Sequence, residues 1–231
     1  LIKEIYCLLI LILMKNEKTN ISFVTLICLI GCINFNPKGR ETEKIREDFP
    51  DDSVMQNSPH LKFKNVPIDG SLDKFVACMV RSGFKTEKKT TDQAILSGDF
   101  ADFKECVVYV ETLKDKDLVS KIAVCFPNQD QWEYLYGDYK HLKELLTVKY
   151  GKPSSCVEKF QNSYGLTPTN DNDRMHYVHF DKCKYETRFA TDKGEIVLWI
   201  EHESVSRAFV MLLYKDKING SIIKKHAIDD L

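Results

Sequence analysis

One stretch of this chain fits a single kind of secondary structure. Trp132, Leu135, Tyr136, Tyr139, Leu142 and Leu146 recur at helical spacing and make one apolar stripe. Asp130 and Glu133 stand three apart ahead of that stripe, the spacing of a capping box in which the Asp130 carboxylate accepts first-turn N–H groups while Glu133 reaches back. Tyr150-Gly151-Lys152-Pro153 closes the segment, with Gly at the position after the helix and Pro beyond it. The aromatic residues of the stripe read as core, because their period is that of packing against a sheet.

On either side of this helix the period changes from 3.6 to 2. Leu61-Lys62-Phe63-Lys64-Asn65-Val66 alternates as a strand. Ser71 is a good N-cap for a helix carrying Leu72, Phe75, Val76 and Met79, with Asp73 in its first turn and Gly83 as its stop. Strands are expected at 84–88, 94–100, 106–113 and 119–126, with a polar turn at 114–117. After the central helix, strands are expected at 154–160, 176–180, 183–191, 195–201 and 207–214, with a polar loop at 161–174; 218–231 reads as a short helix, with a hairpin on Asn219-Gly220 as the alternative. The fold class is therefore α+β. Helix followed by about four antiparallel strands occurs twice, so the reading is tandem α-β4 repeats, 61–129 and 130–231, whose antiparallel sheet is packed by helices on one face. In order of elements this resembles tandem α+β folds of the TATA-binding-protein-like or β-lactamase-inhibitor-like kind.

The first sixty residues are of another character. Two apolar runs, 5–13 and 21–30, are each shorter than the roughly 20 residues that span a bilayer. Met14, Lys15 and Lys18 followed by the apolar run 23–30 have the order of a signal peptide, and residues 1–13 are read as an over-extended gene start. Leu29-Ile30-Gly31-Cys32 then resembles a bacterial lipobox: Gly31 is small enough to admit the peptidase, and the Cys32 thiol can carry a diacylglyceryl group. The expected layout is a signal peptide at 1–31, a lipid-anchored flexible tether at 32–60, polar and holding Pro37, Pro50 and Pro59, and the α+β domain from 61. An ordinary secretory signal and a retained membrane segment are the alternatives. Ile68-Asp69-Gly70-Ser71-Leu72, Tyr139-Lys140-His141-Leu142-Lys143, Lys149-Tyr150-Gly151-Lys152-Pro153 and the closing Asp229-Asp230-Leu231 are similar to segments of uncharacterised bacterial lipoprotein-type envelope proteins. That resemblance implies an exported antiparallel α+β domain and carries no activity with it.

Charge excludes one class of partner. Thirty-three Lys and Arg against thirty-four Asp and Glu leave a net charge of -1, without the positive excess of a nucleic-acid binder.

Catalytic motifs are missing from the sequence: there is no CxxC, HExxH, GxSxG or Gly-rich phosphate loop. Cys106 and Cys125 would face each other across a hairpin, and Cys156 and Cys183 occupy the matching region of the second half, so these are the candidate disulfides, with buried free thiols as the other reading. Cys78 lies on an apolar helix face and reads as core. His176 and His179, three apart in an expected strand, would point to opposite faces and chelate poorly, so no metal is expected. Asn170-Asp171-Asn172-Asp173 opens like a calcium loop but lacks its later Gly and Glu, and reads as a solvated loop. No cofactor is expected. The candidate binding face is Lys184, Glu186 and Arg188 on one side of a strand with Trp199 beside them on the next, while Cys183, Tyr185, Thr187, Phe189, Ile196, Leu198 and Ile200 point inward.

These residues lead to one expectation of function. It is a non-catalytic envelope lipoprotein, facing the periplasm, that touches membrane through its lipid and binds a protein or another envelope component. The alternatives are a small periplasmic enzyme with a dispersed active site, and an inhibitor of an exported enzyme.

Overall fold

Short-range chemistry sets most element boundaries. In the computed structural model, which describes residues 57–113, 116–161, 167–204 and 206–222, the expected strand at 61–66 is instead a hairpin. Its arms are β1 (Lys62–Phe63) and β2 (Val66–Pro67). Lys64 and Asn65 both have positive φ, 46° and 67°, which is the turn that fits the twist of a two-residue hairpin. Helix α1 (Leu72–Arg81) starts where Ser71 accepts the Lys74 N–H, and Gly83 follows it at φ 95°. Four strands come next: β3 (Lys85–Lys89), β4 (Gln93–Phe100), β5 (Phe103–Leu113) and β6 (Lys116–Cys125).

The central helix is α2 (Trp132–Tyr150), and it buries Trp132, Leu135, Tyr139, Leu142 and Leu146. The expected capping box does not form. Gln131 is the N-cap and makes no side-chain cap bond, so Asp130 stands one residue too early and Glu133 is the second helical residue, not the third.

A second correction concerns 176–180. That segment is not a strand; it belongs to helix α3 (Asp171–His179), which follows β7 (Ser155–Phe160). Asn170 caps α3 by accepting the Asp173 N–H at 2.9 Å. The acidic run read as a solvated loop is thus the first turn of a helix, where carboxylates favour the N-terminal dipole. Strands β8 (Cys183–Ala190), β9 (Gly194–Ser204) and β10 (Arg207–Asp216) complete the sheet, and residues 217–222 are helical.

Eight strands form one antiparallel sheet in the order β3-β4-β5-β6-β10-β9-β8-β7. Register assigns residues to its two faces. Leu96, Val108, Val124, Leu212, Leu198, Thr187 and Cys156 stand opposite one another in a single row from β4 to β7. The apolar members of this row are buried in one core with Phe75 and Met79 of α1, Leu135 and Tyr139 of α2, and Met175 and Val178 of α3. One residue along each strand, Ser97, Val107, Cys125, Met211, Trp199, Glu186 and Val157 make a row on the other face.

Residues 58–61 and the segment 216–219 are fastened to each other and to their neighbours beside β10. Buried Asp216 accepts the Leu61 N–H at 2.8 Å and the Asn219 N–H at 2.9 Å, and lies 3.1 Å from His60 Nδ1. Asn219 Nδ2 in turn donates to the carbonyls of Ile68 and Val119. Lys193 Nζ donates to the Ser58 carbonyl at 2.7 Å. Residues 58–60 therefore make contacts with the folded part. The expected signal peptide at 1–31, Cys32 and the expected tether up to residue 56 lie outside the described residues.

Candidate functional site

Two regions bring chemistry-bearing side chains together. The first is the expected strip on β8 and β9. Lys184, Glu186 and Arg188 alternate with Tyr185, Thr187 and Phe189, and Trp199 stands opposite both Glu186 and Met211, on the face away from Leu198 and Thr187. Lys184 is exposed; Glu186, Arg188 and Trp199 are half-buried. Arg188 donates to Glu186 at 2.7 Å and to Glu195 at 3.1 Å, and the Glu186 bond foremost holds its pKa above the usual value. The Trp199 indole N–H donates to Glu201 at 2.9 Å. These contacts fix the orientation of the guanidinium and the indole.

The second region was not visible in the sequence. Strand β7 lies at the sheet edge beside α2, and between them is a cavity of about 390 Å³. Tyr136, Tyr139, Lys143 and Glu158 are among its lining residues. Lys143 Nζ donates to Glu158 Oε1 at 2.6 Å and to the exposed Cys156 Sγ at 3.3 Å. Burial opposes the Lys143 charge, but the bonds to Glu158 and Cys156 outweigh it and hold the pKa above the usual value. At Glu158 burial again works against charge, and the Lys143 bond wins, keeping the carboxylate below its usual range. Thr187 Oγ1 donates to Cys156 Sγ at 3.5 Å. Residues of α2, β7 and β8 meet here only after folding. The one linear signal is that Cys156 and Glu158 share a parity in β7.

Neither candidate disulfide forms; all five described cysteines are free. The register gives the reason. Cys125 stands opposite Val107, not Cys106, so the first pair points to opposite faces of the sheet. Cys156 pairs with Thr187 and Cys183 with Phe160, which separates the second pair by four residues, about 13 Å along the strands. Burial, the leading cause in each case, pushes Cys106 up to about 11 and Cys125 and Cys183 up to about 12. Cys78 is buried on α1.

The histidines group differently from expectation, because α3 is a helix. His176 and His179 are three apart on it, so they share a side. His179 faces His202 of β9, with ring centroids 6.1 Å apart, and His202 Nε2 lies 2.9 Å from Asp181 Oδ1. The Nδ1 atoms of His179 and His202 are buried without a partner among the described residues. No group of three or more His, Cys, Asp and Glu among the described residues is placed to hold a metal, and no described helix is long and apolar enough to cross a membrane.

No protein-family model, no curated protein and no solved structure matches this chain.

Proposed function

We propose that this chain is a non-catalytic lipoprotein of a bacterial cell envelope, lipid-anchored at Cys32 after removal of 1–31, whose folded part binds a protein or another envelope component through the β8–β9 strip. The observation that supports binding is the pairing of Trp199 with Glu186 on the face away from the helix-packed core, with Arg188 clamped beside them. Trp and Arg are the side chains most often found to anchor interfaces, since each buries a large area and keeps a polar handle. Localisation rests on the signal-like order of 14–31 and the Leu29-Ile30-Gly31-Cys32 tetrapeptide.

The finer architecture belongs to the same proposal. We read α1-β3-β4-β5-β6 and α2-β7-β8-β9-β10 as tandem halves, with α3 inserted in the second, and α1, α2 and α3 on one face. Support comes from each half running through the sheet in consecutive order and from the antiparallel pairing of their last strands, β6 and β10. The grouping of the helices' buried residues with the Leu96-to-Leu198 row is consistent with one covered face.

Metabolic labelling with a palmitate analogue in a bacterial host tests the anchor. Wild-type protein should take up label and partition into detergent, and Cys32→Ala should do neither. An unmodified mature N-terminus by mass spectrometry would overturn the lipoprotein reading.

A further inference from the structure

We propose that the sheet edge at β7 is an interface between two copies of this chain, paired strand to strand about a twofold axis at Val157. The sheet ends at β3 on one side and at β7 on the other, and the two edges are built differently. Every residue of β3 is exposed, three of the five are lysines, and its register with β4 shifts between Thr86 and Lys88. Edge lysines and bulges are what keep a further strand from adding. Strand β7 has one Lys and one Glu, and its register with β8 runs unbroken through all six residues. It lacks the features that block addition at β3.

Backbone parity gives the direction of the edge groups. The Gln161 N–H donates to the Lys182 carbonyl in the β7–β8 register, and bonded pairs alternate along such a ladder. Ser155, Val157 and Lys159 therefore turn their backbone groups toward β8. The N–H and C=O groups of Cys156, Glu158 and Phe160 point to the open edge, where no described strand pairs with them. The Glu158 side chain is on the helix side, bonded to Lys143 of α2. There the cavity of about 390 Å³ is lined by Glu158 and by Lys140, Glu144, Thr147 and the exposed Val148 of α2. A strand added to β7 sets alternate side chains into that space, as strand addition does when it takes its specificity from pockets.

Charge selects a second copy as the occupant and sets its register. Edge-facing residues must bond to edge-facing residues, so β7 can pair with itself antiparallel over 155–159 or over 156–160. The second register is centred on Glu158 and sets two carboxylates opposite each other, which is destabilising. The first is centred on Val157. It sets Val157 against Val157, Glu158 against Cys156 and Lys159 against Ser155, with no like charges opposed. Lys143 Nζ lies 3.3 Å from Cys156 Sγ, so the Glu158 of each copy also comes beside the ammonium of the other. The twofold axis makes that contact twice.

The test uses the full chain in a mild detergent, with mass read by light scattering and crosslinks read on non-reducing gels. The wild type should be a dimer that dissociates on dilution. Val157→Lys sets two ammonium groups on the axis and should weaken the dimer by about tenfold or more, while Val157→Thr should not. Register is read separately in a Cys156→Ser background. Val157→Cys should crosslink on mild oxidation, because the two positions face each other. Ser155→Cys should not, since its counterpart lies four residues along, about 13 Å away and beyond the roughly 7 Å that a disulfide spans. A wild type that stays monomeric at every concentration, a dimer that survives Val157→Lys undiminished, or equal crosslinking at 155 and 157 would overturn the proposal.

Discussion

The hydroxyl of Tyr139 on α2 lies 2.6 Å from that of Thr187 on β8, in a part of the core where Thr187 has no exposed surface. This bond ties the central helix to the sheet at the point where Tyr139 also meets the Tyr185 ring. Tyr139→Phe keeps the ring contact and removes one partner of a buried hydroxyl. Stability should fall by about 1 to 2 kcal/mol, read as a lower urea midpoint at unchanged slope. Thr187→Val in the same background should then cost little more, since both polar groups are gone.

Asn219 ties the segment after β10 to the turn after β2 and to β6. Its side-chain amide donates to the Ile68 and Val119 carbonyls and lies 3.2 Å from Asp69 Oδ1. Asn219→Ala leaves two carbonyls without that donor in a buried setting. The loss should be about 2 to 3 kcal/mol by chemical denaturation, larger than for the exposed neighbour Lys217→Ala.

Gly194 has a steric role. A Cβ there would stand 2.2 Å from the Lys215 carbonyl oxygen, a backbone atom on the neighbouring strand that cannot swing aside. Gly194→Ala should therefore destabilise by roughly 1 to 3 kcal/mol, as overpacking does, and lower Tm accordingly.

Three helix ends and the alternation of β8 and β9 were legible because each depends on residues adjacent in sequence. Ser71, Gly83 and Gly151 mark three helix ends, and the inward set Tyr185, Thr187 and Phe189 follows from period two alone. Helix α3 was missed because Tyr177, Val178 and Phe180 suit a strand, and the stronger signal lay upstream, where Asn170 caps and Asp173 follows at the third helical position. The cysteine pairs failed on a register that no local pattern encodes: a shift of one residue turns Cys106 away from Cys125. The Lys143–Cys156 contact arises because β7 pairs with β8 as the sheet edge and lands beside α2.

Acid should weaken the packing of α3. Burial first, and the nearby His202 second, hold the His179 pKa below its usual value. The unfolded chain therefore takes up a proton near pH 6.5, while the folded chain resists until the pH is lower. Stability from this group is present above about pH 6.5 and is lost as pH falls through the folded pKa. His179→Gln should flatten that part of the curve. Comparing urea midpoints of the two proteins at pH 7.5 and 5.5 checks this, and equal pH slopes would count against it.

The proposed binding role of the β8–β9 strip can be tested directly in intact cells with a photo-crosslinking side chain at Lys184, exposed on β8, and a control at Lys85, exposed on β3 at the other end of the sheet. The account predicts a discrete crosslinked species from position 184 and not from 85. Adding Arg188→Glu, which breaks the pairs to Glu186 and Glu195, should abolish it while the circular dichroism spectrum stays native. The same products from both positions, or a species that survives Arg188→Glu undiminished, would contradict a binding role for this face.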